Sequence, residues 1–402
     1  MTEPKPDHVR VSGPLAVFAD GFHVVLVEQG YTPCGAQCQL QLLAHLSRWM
    51  QAEGVAVGEL SAVVAERFLA ERRAQRYASR ISLKGLQALL GYLDGLGMLP
   101  AREEPARSPI DEMLDRFCRF LREERGLVAG SIALYARIGR RFLDERSEPL
   151  ADDLARLTGA EINAFILGEA RRVKPRTAET VVCALRALLR FLHVQGWIAR
   201  PLASAVPSVP QRRENLPRGL PAGQVELLRS SCDRSTPTGS RDHAIVLMLS
   251  RLGLRAGEVA GVTLDDINWR LGEVVIRGKR SRIDRLPLPS EVGEALAEYL
   301  SRGRPRGFGR TVFLRTQAPL GAMSSDAISE VVIRACRRAG IPPVRAHRLR
   351  HTIATEMLRA GAGLTEIGQV LRHQSPDVTA VYAKVDRRAL SQLALPWPGS
   401  LS

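Results

Sequence analysis

The stretch "HRLRHTIATEMLRAG", residues 347–361, decides how the second half of this chain is read. It predicts a helix over 347–360 with His347 and Arg350, three apart, on one face. A further helix is predicted over 364–371. The chain then runs into "LRHQSPDVTAVYAKV", residues 371–385, where His373 and Tyr382 stand nine residues apart. Upstream, "SRDHAIVLMLSRLGLRAGEVAGVTLDDINW", residues 240–269, reads as a helix, a glycine-containing turn, a second helix and a loop. In "GEVVIRGKRSRIDRLPLP", residues 272–289, two β-rich runs flank a turn at Gly278 to Ser281, the pattern of a hairpin or small sheet. Helices resume over 290–302 and 324–339. This half is predicted to be mixed α+β with a small antiparallel sheet.

Ahead of it lies "PLASAVPSVPQRRENLPRGLP", residues 201–221, proline-rich and without helical period, which reads as a linker. A second break falls at "LPAREEPARSP", residues 99–109. Helix patterns between the breaks cover 110–126, 130–146, 157–171 and 175–196, and those before them 14–29, 33–53, 59–76 and 79–97. "EQGYT" at 28–32 matches "ERGLV" at 124–128 in kind, and "GYLDGLGML" matches "RFLHVQGWI" one copy later, so a degenerate repeat of a four-helix unit is expected. Chance similarity of two amphipathic segments is the alternative. The expected fold class is mainly α, helical bundles followed by the mixed α+β domain. The expected boundaries are 1–104, 109–205, a linker at 206–220, and 221–402.

The balance is basic: 57 Lys+Arg against 42 Asp+Glu, a net charge of +15. Residues 1–108 are neutral, 109–206 carry +3 and 207–402 carry +12, so the excess sits where a charged working surface would be. Arginine far outnumbers lysine, and its planar fork suits bidentate phosphate contacts. Nucleic acid is therefore the first partner to consider. Each helical copy also carries a basic cluster near its third-to-fourth helix junction. Arg72, Arg73 and Arg76 belong to the first, and Arg171, Arg172, Lys174 and Arg176 to the second. A solvated face explains such runs as readily as phosphate contact. Arg212 and Arg213 in the linker, and Arg280 and Arg282 at the hairpin, are further DNA-contact candidates. No run of 18 apolar residues predicts a membrane span. The six cysteines are scattered and lack zinc spacing, and the N-terminus lacks a signal layout, so reduced thiols in a cytoplasmic protein are expected.

Cutting and rejoining a DNA strand without a metal or cofactor makes specific demands. Fixed cations must cradle the non-bridging phosphate oxygens as negative charge builds. A nucleophile must hold the phosphoryl group covalently, and a general acid and base must move the protons. Arg255 in "LGLRAGEV", Lys279 at the hairpin turn, His347 and Arg350, His373 and Tyr382 could supply each part. A tyrosine with a reference pKa of about 10 needs a base and nearby cations to act near neutrality; His347 is a candidate base.

From about 240 to 385 this order, with the surroundings "GLRAGEVAGVTLDDI", "VVIRGKRSRIDRLPLP", "HRLRHTIATEMLRAG" and "IGQVLRHQSPDVTAVYAKV", resembles the tyrosine recombinase (phage integrase) family. The resemblance implies that Arg255 and Arg350 bind phosphate oxygens and that His373 hydrogen-bonds the same group. It further implies that Lys279 protonates the 5′ leaving group, His347 acts as base and Tyr382 forms a 3′-phosphotyrosine. Glu258, one turn after Arg255, would orient that arginine rather than touch substrate. Two positions depart from the family pattern. Arg372 stands where the family has glycine, and is either strained, displacing His373, or compatible and a further phosphate contact. The family's "GKG" is "GKR" here.

The resemblance implies a site-specific recombinase or integrase of a mobile element, with a SAM-like core-binding domain at 109–205. It would act on double-stranded DNA as a homo-oligomer, a tetramer on two sites, with or without companion recombinases, and would be nucleoid-associated. The first helical domain would add DNA binding or assembly. The tail "RRALSQLALPWPGSLS" would either pass to a neighbouring protomer or pack on its own domain. A decayed DNA-binding accessory protein and a type IB topoisomerase are the rival readings.

Overall fold

The computed structural model describes residues 9–100, 107–173, 175–208, 219–221, 223–278 and 282–372, together with Thr379 and Tyr382; of 175 and 176 it describes the backbone alone. The first segment folds into four helices: α1 (Ala19–Glu28), α2 (Pro33–Glu53), α3 (Ala62–Ala74) and α4 (Leu83–Gly95). Local chemistry sets the ends of α2. The Thr32 hydroxyl accepts from the Gly35 backbone N–H at 3.2 Å, Pro33 fills the first helical position, and Gly54 turns left-handed (φ 68°) to close the helix. Phe22, Leu26, Leu43, Leu46, Phe68, Leu86 and Leu93 line the core they share.

The second segment holds α5 (Pro109–Glu123), α6 (Ala129–Asp144), the short α7 (Leu150–Ala155), α8 (Gly159–Arg172) and α9 (Pro175–Val194). Ser108 and Asp111 cap each other's backbone at the start of α5, and Thr158 and Glu161 do the same at α8. A separate core of Phe117, Phe142, Phe165, Leu188 and Phe191 joins these helices. The short α7 has no counterpart in the predicted pattern; one and a half turns are too few to display a helical period.

The third segment is the mixed α+β part. It runs through α10 (Gln224–Ser230), α11 (Pro237–Arg251), α12 (Ala256–Ala260), a three-stranded sheet, α13 (Ser290–Glu298), α14 (Ser325–Arg338), α15 (His347–Arg359) and α16 (Leu364–Val370). The sheet is antiparallel in the order β1 (Ile267–Asn268), β2 (Glu273–Arg277), β3 (Ile283–Pro287), with Val274 opposite Leu286 and Ile276 opposite Asp284. Val274 and Ile276 point inward, as the period-two alternation of β2 requires. Helix α11 is buried along most of its length at the centre of the core.

The chain separates into two compact units. One is Glu103–Glu214; the other combines Met1–Arg102 with Asn215–Ser402. Within the latter, the Leu320 N–H donates to the Gln29 carbonyl at 2.9 Å. The fold is mainly helical with one small antiparallel sheet. Among the described residues no helix is long and apolar enough to cross a membrane, and no cluster of three metal-ligating side chains occurs.

Candidate active site

Helices α11 and α12 are joined by a tight turn through Gly253 (φ 59°), where an added Cβ would lie 2.7 Å from Leu371 Cδ2. That turn delivers Arg255 to the N-terminus of α12. Its side chain is one-third exposed, and Glu258, one turn on, receives its guanidinium at 2.6 Å and its backbone N–H at 2.9 Å. Burial would raise the Glu258 carboxyl. The Arg255 N–H, the Arg372 charge and the Arg255 guanidinium outweigh it and hold the group below its usual range.

Arg350 rises from the first turn of α15 and is buried. Its guanidinium donates to the carbonyl oxygens of Gly253 and Leu371, tying the turn before Arg255 to the turn after α16. Burial, and then the neighbouring Arg255, lower its pKa to about 10, so it stays charged near neutrality.

Arg372 answers the question its sequence position raises. Its φ is 54°, in the left-handed region, and its side chain turns inward rather than toward solvent. The guanidinium reaches Glu258 Oε2 at 3.0 Å and the Val370 carbonyl at 3.2 Å, with Asp284 at 4.0 Å. Two guanidinium groups, those of Arg255 and Arg372, thus pair with one carboxylate, and the Arg350 guanidinium, held by the Gly253 and Leu371 carbonyls, feels its charge. The excess positive charge is arranged for an anion that binds from outside.

Tyr382 enters the same cluster. It is only 2% exposed, packed with Ala354, Ile367 and Leu371 between α15 and α16. Burial pushes its phenol up to about 12, against a smaller downward pull from Arg350. Its hydroxyl lies 2.7 Å from Nδ1 of His351. His351 in turn meets His347 edge to face, ring centres 4.3 Å apart, and His347 is exposed. Burial, then the charges of His347, Arg348 and Arg350, lower the His351 pKa to about 4, so its ring is neutral near pH 7.

Of the residues singled out in the sequence, Arg255, Glu258, His347, Arg350 and Tyr382 come together here, joined by Arg372. Lys279, Arg280 and His373 lie outside the described residues, as do Lys174, Arg212 and Arg213. Arg72 is not the exposed contact that the basic run suggests. It is buried, its guanidinium over the Tyr77 ring at 4.0 Å and against His45 Nδ1 at 2.9 Å, because α3 turns that position into the bundle. Arg73 is half-exposed and paired with Glu66 at 2.5 Å. Arg76 is exposed at a left-handed φ of 61°. Arg171, Arg172 and Arg282 are exposed, Arg282 with Asp284 at 2.9 Å. The sequence reading leaves His351 as a structural residue. Its spacing of four from His347 on one helix face was the signal available for it.

Residues 218–388 match the model of the phage integrase family. The candidate integrase/recombinase y4rA of Sinorhizobium fredii is 38% identical over 396 residues, 96% of this chain and 95% of that protein. Tyrosine recombinase XerD of Mycobacterium tuberculosis is 31% identical over 297 residues, covering 69% of this chain and 93% of its own. Among solved structures, the XerH site-specific recombinase bound to a palindromic difH substrate in a post-cleavage complex aligns with a TM-score of 0.56 at 18% identity, over 73% of this chain and 98% of that one. At that identity the likeness is one of fold.

Proposed function

The chain belongs to the phage integrase family, the tyrosine recombinases that cleave and rejoin DNA, and from that premise we propose that Tyr382 is the nucleophile of a site-specific strand exchange. Its hydroxyl oxygen attacks the scissile phosphorus and the bond to the 5′ oxygen breaks. A 3′-phosphotyrosine and a free 5′-hydroxyl result. The observation that carries this reading is the pairing of Arg255 and Arg372 with Glu258, with the Arg350 guanidinium charged among them and acting electrostatically on Tyr382. Three fixed cations in one cluster supply what a phosphorane-like transition state needs.

In this reading Arg255 and Arg350 hold the non-bridging oxygens, and His373 hydrogen-bonds the same group. Lys279 from the β2–β3 turn protonates the departing 5′ oxygen, and Glu258 keeps Arg255 aimed. The family resemblance gives His347 the role of base. The chemistry calls for no metal or other cofactor. Residues 109–205 form a core-binding domain, 206–220 a linker and 221–402 the catalytic domain, while 1–104 add DNA binding or assembly. Exposed Arg171, Arg172 and Arg282 suit backbone phosphate contacts, which fix position without reading sequence. Double-stranded DNA bearing specific sites is the substrate, and a homotetramer on two sites is the working assembly, with companion recombinases where the element encodes them. The protein works in the cytoplasm, at the nucleoid.

The test uses a nicked duplex carrying the terminal sequence of the DNA element in which the gene lies. Once the 5′ fragment diffuses away, the covalent complex is trapped. The wild-type protein is expected to form an adduct that survives denaturation, and Tyr382→Phe to bind the duplex without forming one. Binding without any adduct in the wild type would overturn the proposal. Relaxation of supercoiled plasmids lacking a site would point to a topoisomerase.

A further inference from the structure

We propose that His351 is a catalytic residue of this site, the group that takes the proton from the Tyr382 hydroxyl during cleavage and returns it during rejoining. The inference rests on the reading of Tyr382 as nucleophile and moves to His351 the base role expected of His347.

The geometry is direct. Nδ1 of His351 lies 2.7 Å from the Tyr382 oxygen, within the reach a general base requires. Tyr382 is buried, so bulk water is a poor acceptor for its proton. His351 is half-buried and fixed on α15 one turn after His347, whose ring packs edge-on against it. Among the described residues the charged and titratable groups acting on His351 are His347, Arg348 and Arg350 from its own helix and Tyr382 from the segment packed against it. Burial, and then the charges of His347, Arg348 and Arg350, keep the ring neutral before DNA binds, so that Nδ1 can accept a proton.

Proton and electron accounting close within the site. As Tyr382 Oη forms its bond to phosphorus, its proton passes to Nδ1 and His351 becomes an imidazolium. The P–O5′ bond breaks with both electrons on the oxygen, which is protonated by the general acid. On rejoining, the 5′-hydroxyl attacks the phosphotyrosine and gives its proton back to the deprotonated general acid, while the imidazolium returns its own proton to the departing phenolate. The arginines oppose an imidazolium in the empty site, and the phosphodiester charge offsets that opposition. The base therefore becomes effective only when DNA is in place, which protects the tyrosine from activation without substrate.

The experiment compares His351→Asn, His351→Ala, Tyr382→Phe and the wild-type chain on the nicked duplex. It measures adduct formation in a single turnover between about pH 6 and about pH 9, together with DNA affinity and thermal unfolding. Asparagine keeps a polar group of similar size without a titratable nitrogen. The expected result for both His351 variants is DNA affinity like the wild type and adduct formation about 100-fold slower or worse. Their rates should climb about tenfold per pH unit where the wild type levels off, and added imidazole should restore His351→Ala. Wild-type rate and pH profile in a folded His351→Asn or His351→Ala would overturn the assignment while leaving Tyr382 as nucleophile. No adduct in the wild type, or an adduct undiminished in Tyr382→Phe, would instead remove the reading on which it stands.

Discussion

Arg372 sits where a glycine would rest without strain, and its backbone conformation costs about 1 kcal/mol for a residue with a Cβ. The compensation is a buried ion pair with Glu258 at 3.0 Å, made to the carboxylate that also holds Arg255. The two terms separate by substitution. Arg372→Ala loses the pair and keeps the strain; Arg372→Gly loses the pair and relieves it. Denaturant unfolding is expected to rank Arg372→Gly above Arg372→Ala by about 1 kcal/mol, the reverse of the usual penalty for glycine. Equal stabilities, or alanine ahead, would contradict the strained geometry. His351 gives a second test. Its folded pKa of about 4 lies below the ordinary histidine value of 6.5, so between those values the unfolded chain binds more protons. Its contribution to stability is complete above about pH 6.5 and is lost as the pH falls toward 4. Unfolding followed across that window is expected to show a loss that is smaller in His351→Asn. The residue order Arg255, His347, Arg350, Tyr382 was legible in the sequence because each lies in a recognisable local context. The His351–Tyr382 contact was not, since it joins positions 31 residues apart through a bend that no periodicity encodes.

Elements with marked ends announce themselves, and short ones without such marks do not. Helix α2 matches its predicted span because a Thr–Pro start and a left-handed glycine end mark both termini. The β2–β3 hairpin follows from two β-rich runs on either side of the turn predicted at Gly278 to Ser281. Helices α7 and α10 and the two-residue β1 escape such reading, being too short to repeat a period. Predicted helix 290–302 is found as α13 running on into a π-helical turn, Tyr299–Gly303, where Gly303 approaches Ser240. At this level the turn through Gly253 matters most to the site. Its carbonyl receives Arg350, its φ is positive, and Leu371 leaves no room for a Cβ. Gly253→Ala is expected to displace Arg350 and lower the rate of covalent adduct formation at least tenfold, with DNA affinity nearly unchanged. An unaltered rate would show that the turn tolerates the side chain and that Arg350 is positioned by other contacts.

The charge gradient of the molecule, neutral at its start and strongly basic in its second half, agrees with a surface that holds a polyanion around the Arg255–Arg350–Arg372 cluster. The first helical segment is part of the same compact unit as the catalytic segment. The Leu320 N–H reaches the Gln29 carbonyl there, and a Cβ on Gly30 (φ 78°) would collide with Leu320 Cδ1. Gly30→Val is expected to loosen that packing, lowering the unfolding temperature of the first segment relative to the rest in calorimetry; a single unshifted transition would contradict the contact. Composition could suggest a DNA partner and two helical segments, but not which faces pack together, because that depends on contacts between residues far apart in sequence. The whole account stands or falls on one covalent bond. Trapped on its nicked duplex, digested and sequenced by mass spectrometry, the wild-type protein should yield a peptide with DNA attached through a 3′-phosphate to Tyr382. Attachment at any other residue, or an adduct that persists in Tyr382→Phe, would contradict it.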